Sequence, residues 1–222
     1  MARLIYLASS SPRRRELLGI AGFMFSTIKV DVDESVYPNE FPPEYTQRVS
    51  LMKAEAAERL IKGDPLILSA DTTVADGTQM LGKPLNAQEA EQMLKRLRGR
   101  THQVYTAVTV LDVATGRIEQ EVAETDVPMR NYTDTEILTY ITSGDPFDKA
   151  GGYAIQNSAF HPVKTRTGCY ANVIGLPLCH LLKILRRIDI PVEQDIPYLC
   201  QTAHDYKCGV FTSILRNHTS GE

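Results

Sequence analysis

The sequence has few cysteines and no long hydrophobic run, and both absences narrow the class of protein. Its four cysteines are sparse and lie late in a chain of 222 residues, so a disulfide framework is not expected. No apolar stretch approaches the length of a membrane span, and the N-terminus lacks the long apolar core and cleavage site of a signal peptide. We therefore expect a cytoplasmic protein without a membrane partner.

The chain also lacks a strong charge of either sign. It contains 24 lysines and arginines against 27 acidic residues, which gives a net charge of −3. Such a balance provides no general attraction to nucleic acids or anionic membranes, so any phosphate site must be local. The hydrophobic fraction of 43% and the charged fraction of 23% are typical of a globular protein with a real core. We find no internal repeat and no low-complexity segment.

The segment from Leu4 to Leu18 combines a strand, a helix start and a candidate anion site. An apolar run over Leu4–Ala8 predicts a buried strand, and Ser11 with Pro12 predicts the cap and first residue of a helix. Arg13–Arg15 follow at the positive end of the helix dipole, where a cation costs about 0.3–1 kcal/mol. Backbone N–H groups, serine hydroxyls and guanidinium groups together favour a phosphate cradle. The alternative is an ordinary capped helix with solvated arginines.

Acidic residues follow two predicted strands. The first strand, Phe25–Val32, leads into Asp33 and Glu34, which could hold a metal or simply face water. The second, a short apolar run over Leu66–Ser69, is followed by Asp71. Because sites collect at strand ends in α/β folds, Asp71 is a candidate metal ligand or base.

Two lysines, on other predicted elements of the chain, are further candidates for the site. Prolines between residues 38 and 43 predict a loop, and the helical pattern that follows carries Lys53. Asp76-Gly77 predicts a hairpin turn, after which Lys83 lies between Gly82 and Pro84. Local sequence alone leaves both lysines open to interpretation as surface residues.

The second half of the chain alternates helix starts with long strands. Asn86 with Glu89, and Thr133 with Glu136, are typical of helix capping boxes. Between them, residues 102–129 predict a long antiparallel hairpin. The adjacent Gly151-Gly152, placed before a short alternating strand, indicates close approach by another backbone or a ligand.

The C-terminal part begins with a helix opened by Gly175-Leu176-Pro177. Beyond it the pattern loosens. Cys200, His204 and Cys208 are spaced by four, so they could share a helix face and hold a metal, although a fourth ligand is missing and an incidental arrangement is favoured.

Several segments occur in an order that resembles one known family. They are SSSPRRREL at Ser9, VDE at Val32, the helix carrying Lys53, SADT at Ser69, GKP at Gly82, KAGGYAIQ at Lys149 and NVIGLPL at Asn172. Together they resemble the Maf family of nucleoside triphosphate pyrophosphatases from Leu4 to about Ile188. The resemblance implies the α/β fold of the Maf and inosine triphosphatase superfamily, a mixed twisted sheet with flanking helices and a nucleotide cleft between two lobes. We expect this domain over residues 1–190, followed by an extension of unknown role over residues 191–222.

The activity implied by the resemblance is hydrolysis of a nucleoside triphosphate to the monophosphate and pyrophosphate, a housecleaning of the nucleotide pool. A divalent cation, Mg²⁺ or Mn²⁺, and a homodimer are implied with it. Two other functions stay open, a broad pyrophosphatase for modified nucleotides and a nucleotide-binding regulator of cell division.

The resemblance also implies roles for individual residues. The triphosphate would be held by Ser9, Ser11, Arg13, Arg14, Lys53 and Lys83. Glu34 and Asp71 would be oxygen ligands of the cation, and Asp71 would also be the base that deprotonates the attacking water.

Base preference is implied by Arg13, Thr72 and Gln156, which are similar to the branch acting on dTTP and UTP. The Gln156 amide offers a donor and an acceptor, which suits uracil or thymine. The alternative is a strand-end Gln156 that faces solvent.

Overall fold

A six-stranded mixed sheet forms the centre of the computed structural model, which describes residues 3–216. The strands are β1 (Ile5–Leu7), β2 (Phe25–Thr27), β3 (Leu66–Asp76), β4 (Gln79–Leu81), β5 (Thr101–Asp112) and β6 (Arg117–Pro128). Their order is β2-β1-β3-β5-β6, with β4 paired to β3. β1 runs parallel to β2 and β3, whereas β3, β5 and β6 are antiparallel. The predicted α/β class is confirmed.

Eight α-helices are present in the described part of the chain. They are α1 (Pro12–Ile20), α2 (Pro42–Glu58), α3 (Ala87–Leu97), α4 (Asp134–Thr142), α5 (Tyr170–Ile174), α6 (Leu178–Arg187), α7 (Ile196–His204) and α8 (Phe211–Arg216), with short 3₁₀ turns at Asp145–Asp148 and Ala150–Gly152. The predicted starts of α1, α3 and α4 are confirmed, since Ser11, Asn86 and Thr133 each accept a hydrogen bond from a first-turn N–H. None of the helices within residues 3–216 has the length and apolar character needed to span a membrane.

The alternation of β3 sorts its side chains between two layers of helices. Leu66, Leu68 and Ala70 pack with α1, α5 and α6 in one core cluster. Ile67 points to the other face and packs against alanines of α2. Farther along the strand, Val74 belongs to a second cluster built with α3 and α4. The two lobes expected from the resemblance are therefore two cores that share β3 and β5.

The bounds of two N-terminal elements differ from the prediction. β2 ends at Thr27 rather than Val32, because β1 offers only three residues for pairing. The Ile28 N–H still donates to the Leu7 carbonyl at 3.0 Å before the chain leaves the sheet. The prolines at 42 and 43 begin α2 instead of lying in a loop. Proline suits the first turn of a helix, where its missing N–H has no partner to lose.

Two predictions about strand ends were wrong. β3 continues to Asp76, so Asp71 lies in the middle of a strand, opposite Ala107, rather than past its end. Residues 153–156 form no strand, because Gly151 and Gly152 both have φ of +70° and bend the chain. The predicted close approach by another backbone is confirmed at Gly151, whose N–H donates to the Gly82 carbonyl at 3.0 Å. A Cβ on Gly151 would also lie 2.9 Å from the Val74 side chain.

The C-terminal extension packs on the first core. Ile196 of α7 is 1% exposed and belongs to the cluster that contains α1 and α6. Cys208 lies beyond the end of α7, so it does not share a helix face with Cys200 and His204. Within residues 3–216 no group of three or more His, Cys, Asp or Glu side chains is placed to hold a metal, and this includes Cys200, His204 and Cys208, for which the incidental arrangement was the favoured interpretation. All four cysteines are free thiols.

Candidate active site

A cleft of about 640 Å³ lies between the two lobes. It is lined by the start of α1, the loop before α2, the middle of β3 and the 3₁₀ segment. The sequence-predicted site residues all line it: Ser9, Ser11, Arg13, Arg14, Glu34, Lys53, Asp71, Thr72, Lys83 and Gln156. Residues distant in the sequence are thus brought together in one cavity, while their individual roles stay predictions.

Lys53 joins the two acidic residues on one wall of the cleft. Because β3 alternates, Asp71 points toward α2, where the Lys53 Nζ lies 2.7 Å from Asp71 Oδ1. The same Nζ lies 2.7 Å from Glu34 Oε1 in the loop before α2. Burial tends to raise the pKa of Glu34, but its hydrogen bond with Lys53 and the charge of that lysine outweigh burial and hold the pKa below its usual value.

The second oxygen of Asp71 is unused. The Asp71 side chain is 7% exposed, and its Oδ2 has no hydrogen-bond partner among the described residues. Leaving a buried carboxylate oxygen without a partner is costly, so this oxygen has capacity for a proton, a water or a cation.

The donor set fits a hard divalent cation. Glu34 and Asp71 provide carboxylate oxygens, and an ammonium group already lies between them. Only two acidic side chains are present at this point of the described chain, so phosphate oxygens and water would complete the coordination, as is common for Mg²⁺.

Arg14 is fixed in the cleft by three hydrogen bonds. Its Nε donates to the Gly175 carbonyl at 2.9 Å, its Nη2 to Thr72 Oγ1 at 3.0 Å and its Nη1 to Ser9 Oγ at 3.4 Å. Burial lowers the pKa of Arg14, which nevertheless keeps its charge as arginines do in proteins. A Cβ on Gly175, which has φ of +118°, would lie 3.3 Å from Thr72 Oγ1, so a glycine allows this close approach.

The hydroxyl groups around Arg14 are largely occupied by hydrogen bonds within the protein. Ser11 Oγ accepts the Arg14 backbone N–H at 3.4 Å as a helix cap, and Ser9 Oγ accepts the Ser11 N–H at 3.2 Å. Thr72 Oγ1 also pairs with Thr106 Oγ1 at 2.9 Å. These hydroxyls therefore hold the arginine and the helix start in place.

A family model described as Maf-like protein matches residues 4–188 of the chain. This chain belongs to the Maf family. Relatives named dTTP/UTP pyrophosphatase occur in Citrifermentans bemidjiense (44% identity over 184 residues, 83% of this chain and 95% of that protein) and Chlorobium phaeovibrioides (43% over 188, 83% and 96%). A third, from Pseudoalteromonas translucida, is 42% identical over 186 residues, 84% of this chain and 97% of that protein. The family resemblance is confirmed, and the relatives' name is that of a nucleoside triphosphate pyrophosphatase, the implied enzyme class.

Arg13 reaches across the cleft of this Maf protein. Its Nη1 lies 3.0 Å from Asp148 Oδ2 in the 3₁₀ turn of the other lobe. Asp148 also pairs with Lys149, which in turn contacts Asp145. Sequence reasoning missed Asp148 and Lys149 as cleft residues, although the KAGGYAIQ segment that begins at Lys149 was a usable signal.

The loop that carries Glu34 is held by α2. The Tyr45 hydroxyl donates to the Glu34 carbonyl at 3.0 Å, and burial raises the pKa of this phenol, which keeps it a donor. Arg48 donates to both carboxylate oxygens of Glu40 at 2.6 and 2.8 Å and to the Ser35 carbonyl at 2.9 Å. These contacts were not predicted, because bonds to loop carbonyls leave no periodic pattern in a sequence.

Proposed function

We propose that this Maf protein hydrolyses nucleoside triphosphates, with dTTP and UTP preferred, to the nucleoside monophosphate and pyrophosphate. The observation that carries the proposal is the cleft itself, in which Lys53, Glu34 and Asp71 form one cluster and Arg14 is held in the same cavity. The name of the relatives supports the same reaction.

In the proposed reaction, a water oxygen bonds to the α-phosphorus while the bond from that phosphorus to the α–β bridging oxygen breaks. Pyrophosphate leaves with the electron pair of that bond. The proton of the water passes to Asp71 Oδ2, the buried oxygen that has no other partner among the described residues. Arg14, Lys53 and Lys83 bind the negative oxygens of the substrate and stabilise charge on the leaving group.

Glu34 Oε1 and Asp71 Oδ1 would hold a divalent cation, Mg²⁺ or Mn²⁺. When bound, that cation supplies neutralisation of the phosphate charge and polarisation of the phosphoryl group. Assigning Oδ1 to the cation and Oδ2 to the water proton gives Asp71 both of its roles through different atoms.

Pyrimidine preference is proposed from Gln156, which lies exposed on the cleft wall. Its amide can donate to and accept from the base edge of uracil or thymine. Thr72 would act indirectly, because its hydroxyl already binds Arg14 and Thr106.

The test is pyrophosphate release from dTTP, UTP, CTP and 7-methyl-GTP with Mg²⁺ or Mn²⁺. We expect higher kcat/KM for dTTP and UTP, and loss of turnover with retained nucleotide binding in Asp71→Asn. Glu58→Gln, an exposed acid on α2, is the matched control and should behave as the parent. A parent protein that binds nucleotides but releases no pyrophosphate would refute the enzyme and favour a regulator, and equal kcat/KM values would refute the pyrimidine preference.

A further inference from the structure

Lys53 occupies the point between Glu34 and Asp71 where a divalent cation would bind. We infer that Lys53 blocks this position in the free protein, so the site takes up a divalent cation only together with the triphosphate. This inference rests on the proposed function, because it concerns the same cation and substrate.

The geometry makes the two cations mutually exclusive. The Lys53 Nζ lies 2.7 Å from one oxygen of each acid, so it is centred between them. In the proposed assignment a Mg²⁺ ion takes the same two oxygens, Glu34 Oε1 and Asp71 Oδ1, at about 2.0–2.1 Å. An ammonium group and a divalent cation of like charge do not share two oxygens at these distances, so Lys53 must move before the cation binds.

Lys53 needs another anion before it leaves the two acids. Its side chain is 12% exposed and lines the cleft, so turning away from both acids breaks two ion pairs in a largely buried setting. A phosphate in the cleft supplies a replacement partner, because the flexible lysine stem can turn from the carboxylates to a phosphate oxygen.

The unpartnered Asp71 Oδ2 indicates how the two acids would behave toward cations if Lys53 were removed. The Asp71 side chain is 7% exposed and its Oδ2 has no partner among the described residues, so loss of the ammonium group would remove the ion pair of both carboxylates. Two such carboxylates attract a divalent cation even when no nucleotide is present.

The experiment measures Mn²⁺ binding to the intact, nucleotide-free protein by the EPR signal of free Mn²⁺. Lys53→Met retains the length of the side chain and removes its charge. We expect at least tenfold tighter Mn²⁺ binding in Lys53→Met than in the parent, and loss of that gain when Asp71→Asn is added. Lys62→Met, an exposed lysine just beyond α2, is the matched control and should leave the affinity of the parent unchanged.

A second measurement tests the parent itself and does not depend on any variant folding. A non-hydrolysable α,β-imido analogue of dUTP should increase Mn²⁺ uptake by the parent beyond what the analogue binds in the absence of protein. Tight Mn²⁺ binding by the nucleotide-free parent, or no gain in Lys53→Met, would overturn the inference. Both readouts are independent of turnover, so the expected binding results with no pyrophosphate release would refute the proposed function alone.

Discussion

Gly151 provides a test of how tightly the second core is packed beside the cleft. It has φ of +70°, and its N–H donates to the Gly82 carbonyl at 3.0 Å. A Cβ at this position would lie 2.9 Å from Val74 Cγ1 and 3.1 Å from Cβ and Cγ2 of the same side chain. Val74 is buried in the second core and has little space to move.

The expected loss for Gly151→Ala has two parts. The left-handed backbone costs about 1–2 kcal/mol for a residue with a Cβ. Forcing a methyl group into a packed core adds about 1–3 kcal/mol. The total is about 2–5 kcal/mol of unfolding free energy.

Gly116 separates these two contributions. It has the same φ of +70° in the β5–β6 turn, but a Cβ there would have nothing within 4 Å. Gly116→Ala should therefore lose only the backbone part, about 1–2 kcal/mol.

Urea unfolding followed by circular dichroism measures both variants. Adding Val74→Ala to Gly151→Ala should cost less than the same change in the parent, because the methyl group then enters the space it opens. Equal destabilisation by the two glycine variants, or strictly additive costs at Gly151 and Val74, would refute the packing argument.

Three further outcomes are expected. Arg14 donates three hydrogen bonds, of which a lysine can replace one. Loss of the other two, at about 1.5–3 kcal/mol each, should lower kcat/KM for dTTP in Arg14→Lys by at least about a hundredfold, whereas the exposed Arg15→Lys should match the parent. The hydrogen bond from Arg3 lowers the pKa of Asp112 to about 2, so the stability that Asp112 contributes is present above the usual pKa near 3.8 and is lost as the pH falls toward 2. The difference in urea midpoint between the parent and Asp112→Asn should therefore be smaller at pH 2 than at pH 6. A difference that stays constant would contradict this prediction. Ending the chain after residue 190 exposes the part of the first core in which Ile196 is buried. The melting temperature should therefore drop, and the binding of a dye that recognises apolar surface should rise. An unchanged melting temperature would show that α7 and α8 are not needed for stability.

Local signals in the sequence predicted the helix starts well. Ser11, Asn86 and Thr133 cap their helices as expected, because a cap depends on residues within one turn. The long hairpin of β5 and β6 was predicted for a similar reason, since alternation and a turn signal lie next to each other in the chain.

The wrong predictions came where tertiary contacts decide the outcome. β3 was cut short because its central residues are polar, and those residues are polar because they line a cleft rather than a core. The prediction of Asp71 as a site residue therefore used an incorrect premise, the end of a strand. The ion pair between Arg13 and Asp148 joins residues that are far apart in the sequence. Arg48 binds a backbone carbonyl of the Glu34 loop. Neither kind of contact leaves a recognisable pattern in the sequence.

The unbroken ladder between β3 and β5 has a mechanical consequence. These strands pair from Leu66 with Asp112 to Ala75 with Gln103, and the pairs run through both lobes under the floor of the cleft. Swinging one lobe away from the other would require this ladder to be torn or sharply bent, so a hinge between rigid halves is not available to the molecule. Opening of the cleft must instead rely on the loop that carries Glu34 and the turn that carries Asp148, two edges whose contacts with the body include side-chain bonds from Tyr45 and Arg13.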